Sequence, residues 1–219
     1  HPKIARLICL GTHSFQDRDY DFILEEFVDG GTLADLIRDG GHIDDDQTIA
    51  LGRTLIDALV HLAELELVHR DIKPENVMYR TGTGSPVLVD FGLVRDLSAS
   101  SLTPTHLMRG PGTPYFAAPE QLNNEKHLID WRTDQFSLGV LLFYARFGAH
   151  PYQYAVEPLF SPATAERVAQ RGPRGDPFYT SLQGSRFVCL NAMTKPWPVW
   201  RFRRAAELAD AWEAQGESS

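Results

Sequence analysis

The spacing of apolar positions predicts two strand pairs in the first half of the chain. Apolar-rich runs at residues 4–10 and 22–27 flank the polar stretch 13–21, a pattern typical of an antiparallel pair joined by a turn. Shorter β-like runs at residues 77–79 and 86–89 are separated by a segment whose glycines favour a tight hairpin turn. A pair of strands is only marginally stable by itself.

Two helices are predicted between these strand pairs. Thr32 and Asp35 form a capping signal for a short helix that Gly40 can end. Carboxylates at residues 44–46 suit the N-terminus of a longer helix. Apolar side chains over residues 49–63 recur at three-to-four spacing, which indicates that this longer helix buries one face.

The second half of the chain is mainly helical in pattern. Residues 134–148 carry apolar side chains all around a helical wheel, which is typical of a helix at the centre of a domain. Ser161 begins another helix that Gly172 is placed to end, and a last helix is predicted over residues 204–215. We therefore expect a small β portion followed by a mostly helical body, as one domain or one large lobe of a two-lobed enzyme.

Composition and charge narrow the classes of protein. The 219 residues are 43% hydrophobic and 23% charged, which predicts an ordinary globular protein. The 21 basic and 29 acidic residues give a formal net charge of −8, which argues against nucleic-acid binding and against a polybasic membrane anchor. The most apolar stretch is too short to span a bilayer, so no membrane segment is expected.

The termini and cysteines add two expectations. Cys9 and Cys189 lack CxxC spacing, so we expect two small buried residues, no structural zinc and a reducing, cytoplasmic compartment. The chain begins with His1 rather than Met, which indicates a piece of a longer protein. The oligomeric state cannot be read from the sequence.

Polar clusters follow or precede the predicted strands. Residues 69–76 read His-Arg-Asp-Ile-Lys-Pro-Glu-Asn, and residues 90–92 read Asp-Phe-Gly directly after a strand. The strand pair would hold Asn76 and Asp90 at neighbouring ends, which makes an oxygen-rich site suited to Mg²⁺. Either cluster alone is more often a turn or a salt-bridged loop than a functional site. The order and spacing of the two clusters favour a catalytic site over a chance occurrence.

The ordered motifs resemble the large lobe of eukaryotic-type serine/threonine protein kinases. Residues 69–76 are similar to the catalytic loop of that family, residues 90–92 to its metal-binding triplet, and residues 112–120 to the end of its activation segment. Residues 134–139 resemble the start of the family's central helix, and Arg201 lies where its late arginine does. The resemblance covers essentially the whole chain.

This resemblance implies an α+β, protein-kinase-like fold. Residues 1–28 would be a two-strand remnant of the small antiparallel β lobe together with the hinge, and residues 29–219 the mostly helical large lobe. The activation segment would span residues 90–120. The glycine-rich loop, lysine and glutamate of the family's small lobe are not in this sequence, so we expect the isolated chain to be inactive.

The catalytic roles implied by the resemblance follow the needs of phosphoryl transfer. Asp71 would orient the substrate hydroxyl and accept its proton, and Lys73 would steady the moving phosphoryl group. Asn76 and Asp90 would hold Mg²⁺ against the phosphates of ATP. A lysine two residues after Asp71 resembles kinases that act on serine and threonine in proteins.

The resemblance also implies an adenine site. Glu26 and Val28 would belong to the hinge, whose backbone binds the base, and Met78 would form the apolar floor. Met78 is equally well an ordinary core residue. Glu25 would occupy the gatekeeper position, where an acidic side chain is uncommon and would narrow the back pocket.

Regulation is implied by Arg70, which in the family binds a phosphate on the activation segment. Thr113 would face Asp71 and Lys73 beside the substrate. A hydroxyl in such a segment is more often a solvated loop residue than a phosphate acceptor. The candidate phosphate acceptors are hydroxyls of the activation segment: Ser98, Ser100, Ser101, Thr103 and Thr105.

Five residues are expected to be structural. Glu120 and Arg201 would form a buried ion pair between the activation segment and the late helices. Asp134 would cap the backbone of the catalytic loop, and His69 and Phe91 would support the two motifs that contain them.

Two other classes of function remain. A non-catalytic pseudokinase-type scaffold has no physical need for the intact set of Asp71, Lys73, Asn76 and Asp90. A small-molecule phosphotransferase is disfavoured by the long segment before Glu120, which in the family forms a platform for a protein substrate.

Overall fold

The computed structural model has an α+β architecture in which helices form most of the body, as predicted. Small two-stranded sheets lie against the helical part or extend from it. The structure describes residues 1–38, 41–91, 95–96 and 114–217.

The first strand pair is longer than the apolar runs predict. Strands β1 (Leu7–Phe15) and β2 (Arg18–Glu25) pair antiparallel with Phe15 opposite Arg18. Gln16 and Asp17 make the turn, with φ of 49° and 57°. Left-handed conformation at both central residues matches a two-residue hairpin turn. The predicted antiparallel pair is confirmed, but its turn takes only two residues, because most of the polar stretch 13–21 is strand.

This hairpin exposes apolar side chains on both faces. Leu10 is 65% exposed and Phe15 is 57% exposed. Cys9 is exposed as well, so the expectation that both cysteines are buried holds only for Cys189. The reason is that, among the described residues, no element packs over the hairpin in the way that the helices pack over the other strands.

Both capping predictions before the catalytic loop are confirmed. Thr32 accepts a hydrogen bond from the Asp35 backbone at the start of α1 (Leu33–Leu36). Asp44 caps α2 (Asp45–Glu64) in the same reciprocal manner with Gln47. Helix α1 ends at Leu36, earlier than the predicted end at Gly40, which itself lies outside the described residues.

The middle of the chain contains short antiparallel strands. Strand β3 (Leu67–Val68) pairs with β6 (Arg95–Asp96). Strand β4 (Val77–Tyr79) pairs with β5 (Pro86–Leu88), which confirms the second predicted hairpin. A single 3₁₀ turn directly precedes β4 and contains Asn76.

The remaining helices lie in the second half of the chain. They are α3 (Pro119–Leu122), α4 (Trp131–Phe147), α5 (Pro162–Ala169), α6 (Asp176–Leu182), α7 (Cys189–Met193) and α8 (Ala205–Glu217). Ser161 caps α5 as predicted, but the helix ends at Ala169, before Gly172. Gly148 ends α4 with φ of 64°, a left-handed conformation that glycine adopts without strain.

Helix α4 lies at the centre of the core. Its side chains are buried on every side, including Phe136, Leu138 and Leu142 at 0% exposure, as the pattern predicts. Helix α8 packs on α2 where Trp212 covers Gly52, and the Trp212 indole donates to the Ile49 carbonyl at 3.1 Å. Within the described part of the chain, no helix has the length and apolarity needed to cross a membrane.

Candidate active site

Asp134 holds the start of the loop at residues 69–76, the predicted catalytic loop. Its carboxylate accepts backbone hydrogen bonds from His69 at 2.7 Å and from Arg70 at 2.8 Å. Arg70 has a φ of 70°, so two consecutive N–H groups point at one carboxylate. Burial raises the pKa of Asp134 to about 7, although both N–H donors act to lower it. The first residues of central helix α4 thus shape the loop.

His69 connects the catalytic loop to the end of β5. Its Nδ1 accepts the backbone N–H of Asp71 at 3.2 Å, so Nε2 carries the proton and donates to the Val89 carbonyl at 3.1 Å. The Phe91 ring lies edge-on to the imidazole at 4.7 Å. Burial lowers the pKa of His69 to about 4, so the ring is neutral.

Asp71 is the centre of a small polar network. Lys73 Nζ donates to the Asp71 carboxylate at 2.6 Å, and Asn76 Nδ2 donates to the same oxygen at 2.9 Å. Asn76 Nδ2 also donates to the Asp71 backbone carbonyl at 2.8 Å. These contacts orient the carboxylate of Asp71 and leave its other oxygen out of both side-chain bonds.

The β4–β5 hairpin brings Asn76 and Asp90 to neighbouring strand ends. Val89, directly before Asp90, donates its N–H to the Asn76 carbonyl at 3.0 Å. Asp90 has a φ of 64° and is exposed. The Asn76 amide nitrogen is committed to Asp71, so its oxygen is the side-chain atom left for a cation.

This donor set fits Mg²⁺. An amide oxygen and an exposed carboxylate are hard ligands, and Mg²⁺ commonly takes one or two such groups together with waters and substrate phosphates. No cluster of three or more His, Cys, Asp or Glu side chains that could hold a metal occurs in the part of the chain that the structure describes. A Mg²⁺ ion bound by Asn76 and Asp90 would need waters or phosphates as its remaining ligands.

The predicted hinge and floor residues lie together. Val28 is buried in a small apolar cluster with Val87 and Val89, and Met78 packs against it. The hydrogen bonds among the described residues include none to the backbone of Val28. That backbone and the Met78 side chain therefore border the same region.

Glu26 has a different environment from Val28. Its carboxylate pairs with Arg80 and accepts the Arg6 backbone N–H at 3.1 Å. These contacts lower the pKa of Glu26, the Arg80 hydrogen bond most of all. The side chain of Glu26 thus links the end of the β1–β2 hairpin to Arg80, directly after β4. Because the carboxylate is occupied in this way, only the backbone of Glu26 is left to bind an adenine base.

Glu25, at the predicted gatekeeper position, contacts Asp90, the first residue of the Asp-Phe-Gly motif. Its carboxylate accepts a hydrogen bond from the backbone N–H of Asp90. Burial raises the pKa of Glu25, and the negative charge of Asp90 raises it further. Sequence reasoning placed this side chain in a back pocket but did not foresee that it supports Asp90.

Glu120 and Arg201 form a bidentate ion pair with N–O distances of 2.6 and 3.0 Å. Neither side chain has any exposed surface. Thr133 donates to the Glu120 carboxylate at 3.0 Å, and Arg201 donates further to the carbonyl of Lys195 at 2.8 Å. The charges are thus compensated inside the fold.

Gln121 is a supporting residue that sequence reasoning missed. Its side chain donates to the Arg70 carbonyl at 2.8 Å and accepts from the Ala118 backbone at 3.2 Å. It therefore ties the catalytic loop to α3. A glutamine directly after the motif at residues 112–120 carries no distinct signal in the sequence. Thr113 and the five candidate phosphate acceptors lie outside the described residues.

The comparisons with known proteins agree with this geometry. The family profile of the protein kinase domain matches residues 1–170, so the chain belongs to the protein kinase family. It is 29% identical over 214 residues to the protein named "Probable serine/threonine-protein kinase SCO3848" of Streptomyces coelicolor. The aligned region covers 95% of this chain and 30% of that protein.

Two further relatives carry similar names. The serine/threonine-protein kinase ppk25 of Schizosaccharomyces pombe is 36% identical to this chain over 160 residues. The aligned region covers 73% of this chain and 36% of ppk25. The serine/threonine-protein kinase PknL of Mycobacterium tuberculosis is 34% identical to this chain over 137 residues. The aligned region covers 63% of this chain and 33% of PknL. The chain thus spans about a third of the length of these relatives.

Proposed function

We propose that the protein containing this chain transfers the γ-phosphoryl group of ATP to a serine or threonine hydroxyl of another protein. The observation that carries this proposal is the network at Asp71, whose carboxylate is held by Lys73 at 2.6 Å and by Asn76 at 2.9 Å. Membership of the protein kinase family supports it.

In this mechanism Asp71 accepts the proton of the substrate hydroxyl as its oxygen attacks the γ-phosphorus. The bond between that phosphorus and the leaving oxygen of ADP breaks, and ADP keeps the electron pair. Lys73 lies beside Asp71, where its ammonium stabilises charge on the transferred group. Arg70 and Thr113 are proposed to order the activation segment and the substrate.

ATP would be held by backbone and oxygen donors of this chain. The backbone of Glu26 and Val28 would bind adenine above Met78. Asn76 and Asp90 would hold Mg²⁺, which supplies neutralisation of phosphate charge when bound. We divide the chain into residues 1–28 and residues 29–219, with the activation segment at residues 90–120. In this division the site would lie where the two parts meet.

A protein substrate is supported by a cavity beside the catalytic loop. The cavity measures about 460 Å³ and is lined by Pro74 and Glu75, which directly follow Lys73. The aromatic rings of Phe116, Tyr144 and Phe160 also line it. It offers a place for a side chain of a polypeptide next to the acceptor hydroxyl, a feature that a small phosphate acceptor would not need.

The two free thiols support a cytoplasmic location.

The test is transfer of radiolabelled phosphate from Mg-ATP to a protein acceptor by the whole protein and by its Asp71→Asn variant. Asp210→Asn, on the exposed side of α8, is the matched control. Transfer that is lost only in Asp71→Asn supports the proposal. Nucleotide binding without transfer in the unaltered protein would favour the scaffold alternative.

A further inference from the structure

Central helix α4 is linked to the candidate active site at both of its ends. Asp134, in its first turn, accepts the backbone hydrogen bonds of residues 69 and 70. His150 follows the other end of the helix, two residues after Gly148. Most side chains of α4 are buried in the close-packed core, so the helix is a rigid support for the segments that its ends contact.

His150 holds the backbone of the segment at residues 114–117. Its side chain is fully buried, and Nε2 lies 2.8 Å from the carbonyl oxygen of Tyr115. Its Nδ1 accepts the backbone N–H of Tyr152 at 3.0 Å, so Nε2 of the neutral ring carries the proton and donates to Tyr115. Among the hydrogen bonds between described residues, this is the only one from a side chain to the backbone of residues 114–117.

The segment that His150 holds borders the cavity beside the predicted catalytic loop. Phe116 lines that cavity together with Glu75. The centre of the Phe116 ring lies 6.0 Å from that of Tyr144 and 5.7 Å from that of Phe160, and these two rings line the cavity as well. Apolar packing of this kind is not directional, whereas a hydrogen bond is. The His150 contact therefore determines which way the backbone before Phe116 faces.

We propose that His150 is a positioning residue for the protein substrate, which the buried ring does not itself touch. It acts through the Tyr115 carbonyl, by holding residues 114–117 in the conformation against which the acceptor polypeptide lies. The inference rests on the proposed function, because it concerns the cavity assigned there to a side chain of the substrate. None of these contacts involves the proposed adenine or Mg²⁺ site, so His150 affects the binding of the protein substrate and leaves the binding of ATP unchanged.

Two variants of the whole protein separate the two hydrogen bonds of the His150 ring. In His150→Asn the side-chain oxygen takes the place of Nδ1, so it can accept the Tyr152 N–H, but the side chain is too short to reach Tyr115. In His150→Gln the side-chain nitrogen takes the place of Nε2, so the bond to Tyr115 is kept and the bond to Tyr152 is lost. Both replacements are neutral, so charge does not differ between them.

Steady-state kinetics with dephosphorylated casein and Mg-ATP measure the effect. We expect His150→Asn to raise KM for casein by about three- to tenfold, the range for loss of one hydrogen bond, with KM for ATP unchanged. His150→Gln should keep KM for casein within about twofold of the unaltered value. Tyr152→Phe is the matched control, because it removes a buried hydrogen bond of 2.8 Å to the Thr194 carbonyl without altering residues 114–117. It should lower the melting temperature and leave KM for casein unchanged.

Hydrogen–deuterium exchange of residues 115–118 is a second measurement, and it does not require phosphoryl transfer. Exchange should be faster in His150→Asn than in the unaltered protein and unchanged in His150→Gln. Equal exchange in the unaltered protein and His150→Asn overturns the proposal. A KM for casein that is unchanged in His150→Asn, or that rises equally in Tyr152→Phe, overturns it as well. Absence of transfer by the unaltered protein contradicts the proposed function instead, and exchange then decides whether His150 holds the segment.

Discussion

Arg201 meets Glu120 through two parallel hydrogen bonds in a place where neither side chain is exposed. The guanidinium also donates to backbone carbonyls and lies over the Phe136 ring at 4.8 Å. An Arg–carboxylate pair of this geometry is strong when both partners are present. It becomes costly when only one of them remains buried.

We therefore expect Glu120→Ala or Arg201→Ala to lower the free energy of unfolding by about 3–5 kcal/mol. Replacing both residues by apolar ones of similar size should cost less than either single change, because no isolated charge is left. Urea denaturation of the two single variants and the double variant measures the coupling. Additive losses would contradict a direct interaction. Arg53→Ala, which breaks the exposed pair with Glu213, is the control and should cost at most about 1 kcal/mol.

Changing Asp71 or Asp90 to asparagine should impair different steps of the reaction. Asp71→Asn removes the proton acceptor, so we expect turnover to fall by about 10²–10⁴-fold with little change in nucleotide affinity. Asp90→Asn removes the exposed carboxylate proposed to hold Mg²⁺, so metal-dependent ATP binding should weaken as well. Steady-state kinetics and nucleotide titration at several Mg²⁺ concentrations separate the two. Identical signatures would refute the division of roles.

Stability should fall in mild acid because of buried neutral histidines. Burial lowers the pKa of His150 to about 4 from its ordinary value of 6.5. The unfolded chain therefore binds a proton that the folded one does not, so the contribution is complete above about pH 6.5 and is lost as the pH falls towards about 4. The loss from this one group is up to roughly 3 kcal/mol.

His150→Gln should reduce this dependence, because glutamine can still donate to the Tyr115 carbonyl that His150 contacts at 2.8 Å. Unfolding free energies at pH 7 and pH 5 provide the measurement. His127→Gln alters an exposed histidine and is the matched control. A pH dependence unchanged by His150→Gln would show that other groups cause the acid sensitivity.

Gly52 is expected to be intolerant of any side chain. A Cβ at this position would lie 2.1 Å from the Trp212 ring, which is fully buried. Gly52→Ala should therefore force α2 and α8 apart and cost about 1–3 kcal/mol. Gly31→Ala, where the nearest atom to a Cβ would be 3.6 Å away, should be near neutral in thermal melts. Similar melting temperatures for both variants would contradict the packing argument.

Local patterns predicted the helices α1, α2, α4, α5 and α8 but not the short helices α3, α6 and α7. The predicted ones have a capping residue or an apolar face, which are properties of neighbouring positions. Asp44 and Ser161 cap the helices that they were expected to cap. The turn at Gln16 and Asp17 was not predicted, because both residues adopt positive φ without the glycine that signals such a turn.

The sequence predicted which residues lie close together at the candidate site, but it did not predict the residues that support them. Asn76 and Asp90 follow from strand ends, which the sequence marks. Gln121 and Glu25 act through contacts with Arg70 and Asp90, which lie 51 and 65 positions away in the chain (121 − 70 and 90 − 25). Such pairings depend on packing, which the spacing of apolar residues does not specify.

The contacts of Asp134 with His69 and Arg70 join residues that are 65 and 64 positions apart. The catalytic loop therefore cannot take its shape from its own sequence during folding, because the carboxylate that organises it arrives on a helix from the centre of the core. Closing so long a loop is repaid only when the core packs. We expect the catalytic geometry to form late and to disappear in the same cooperative transition as the core, so that loss of the core and loss of the site are one event.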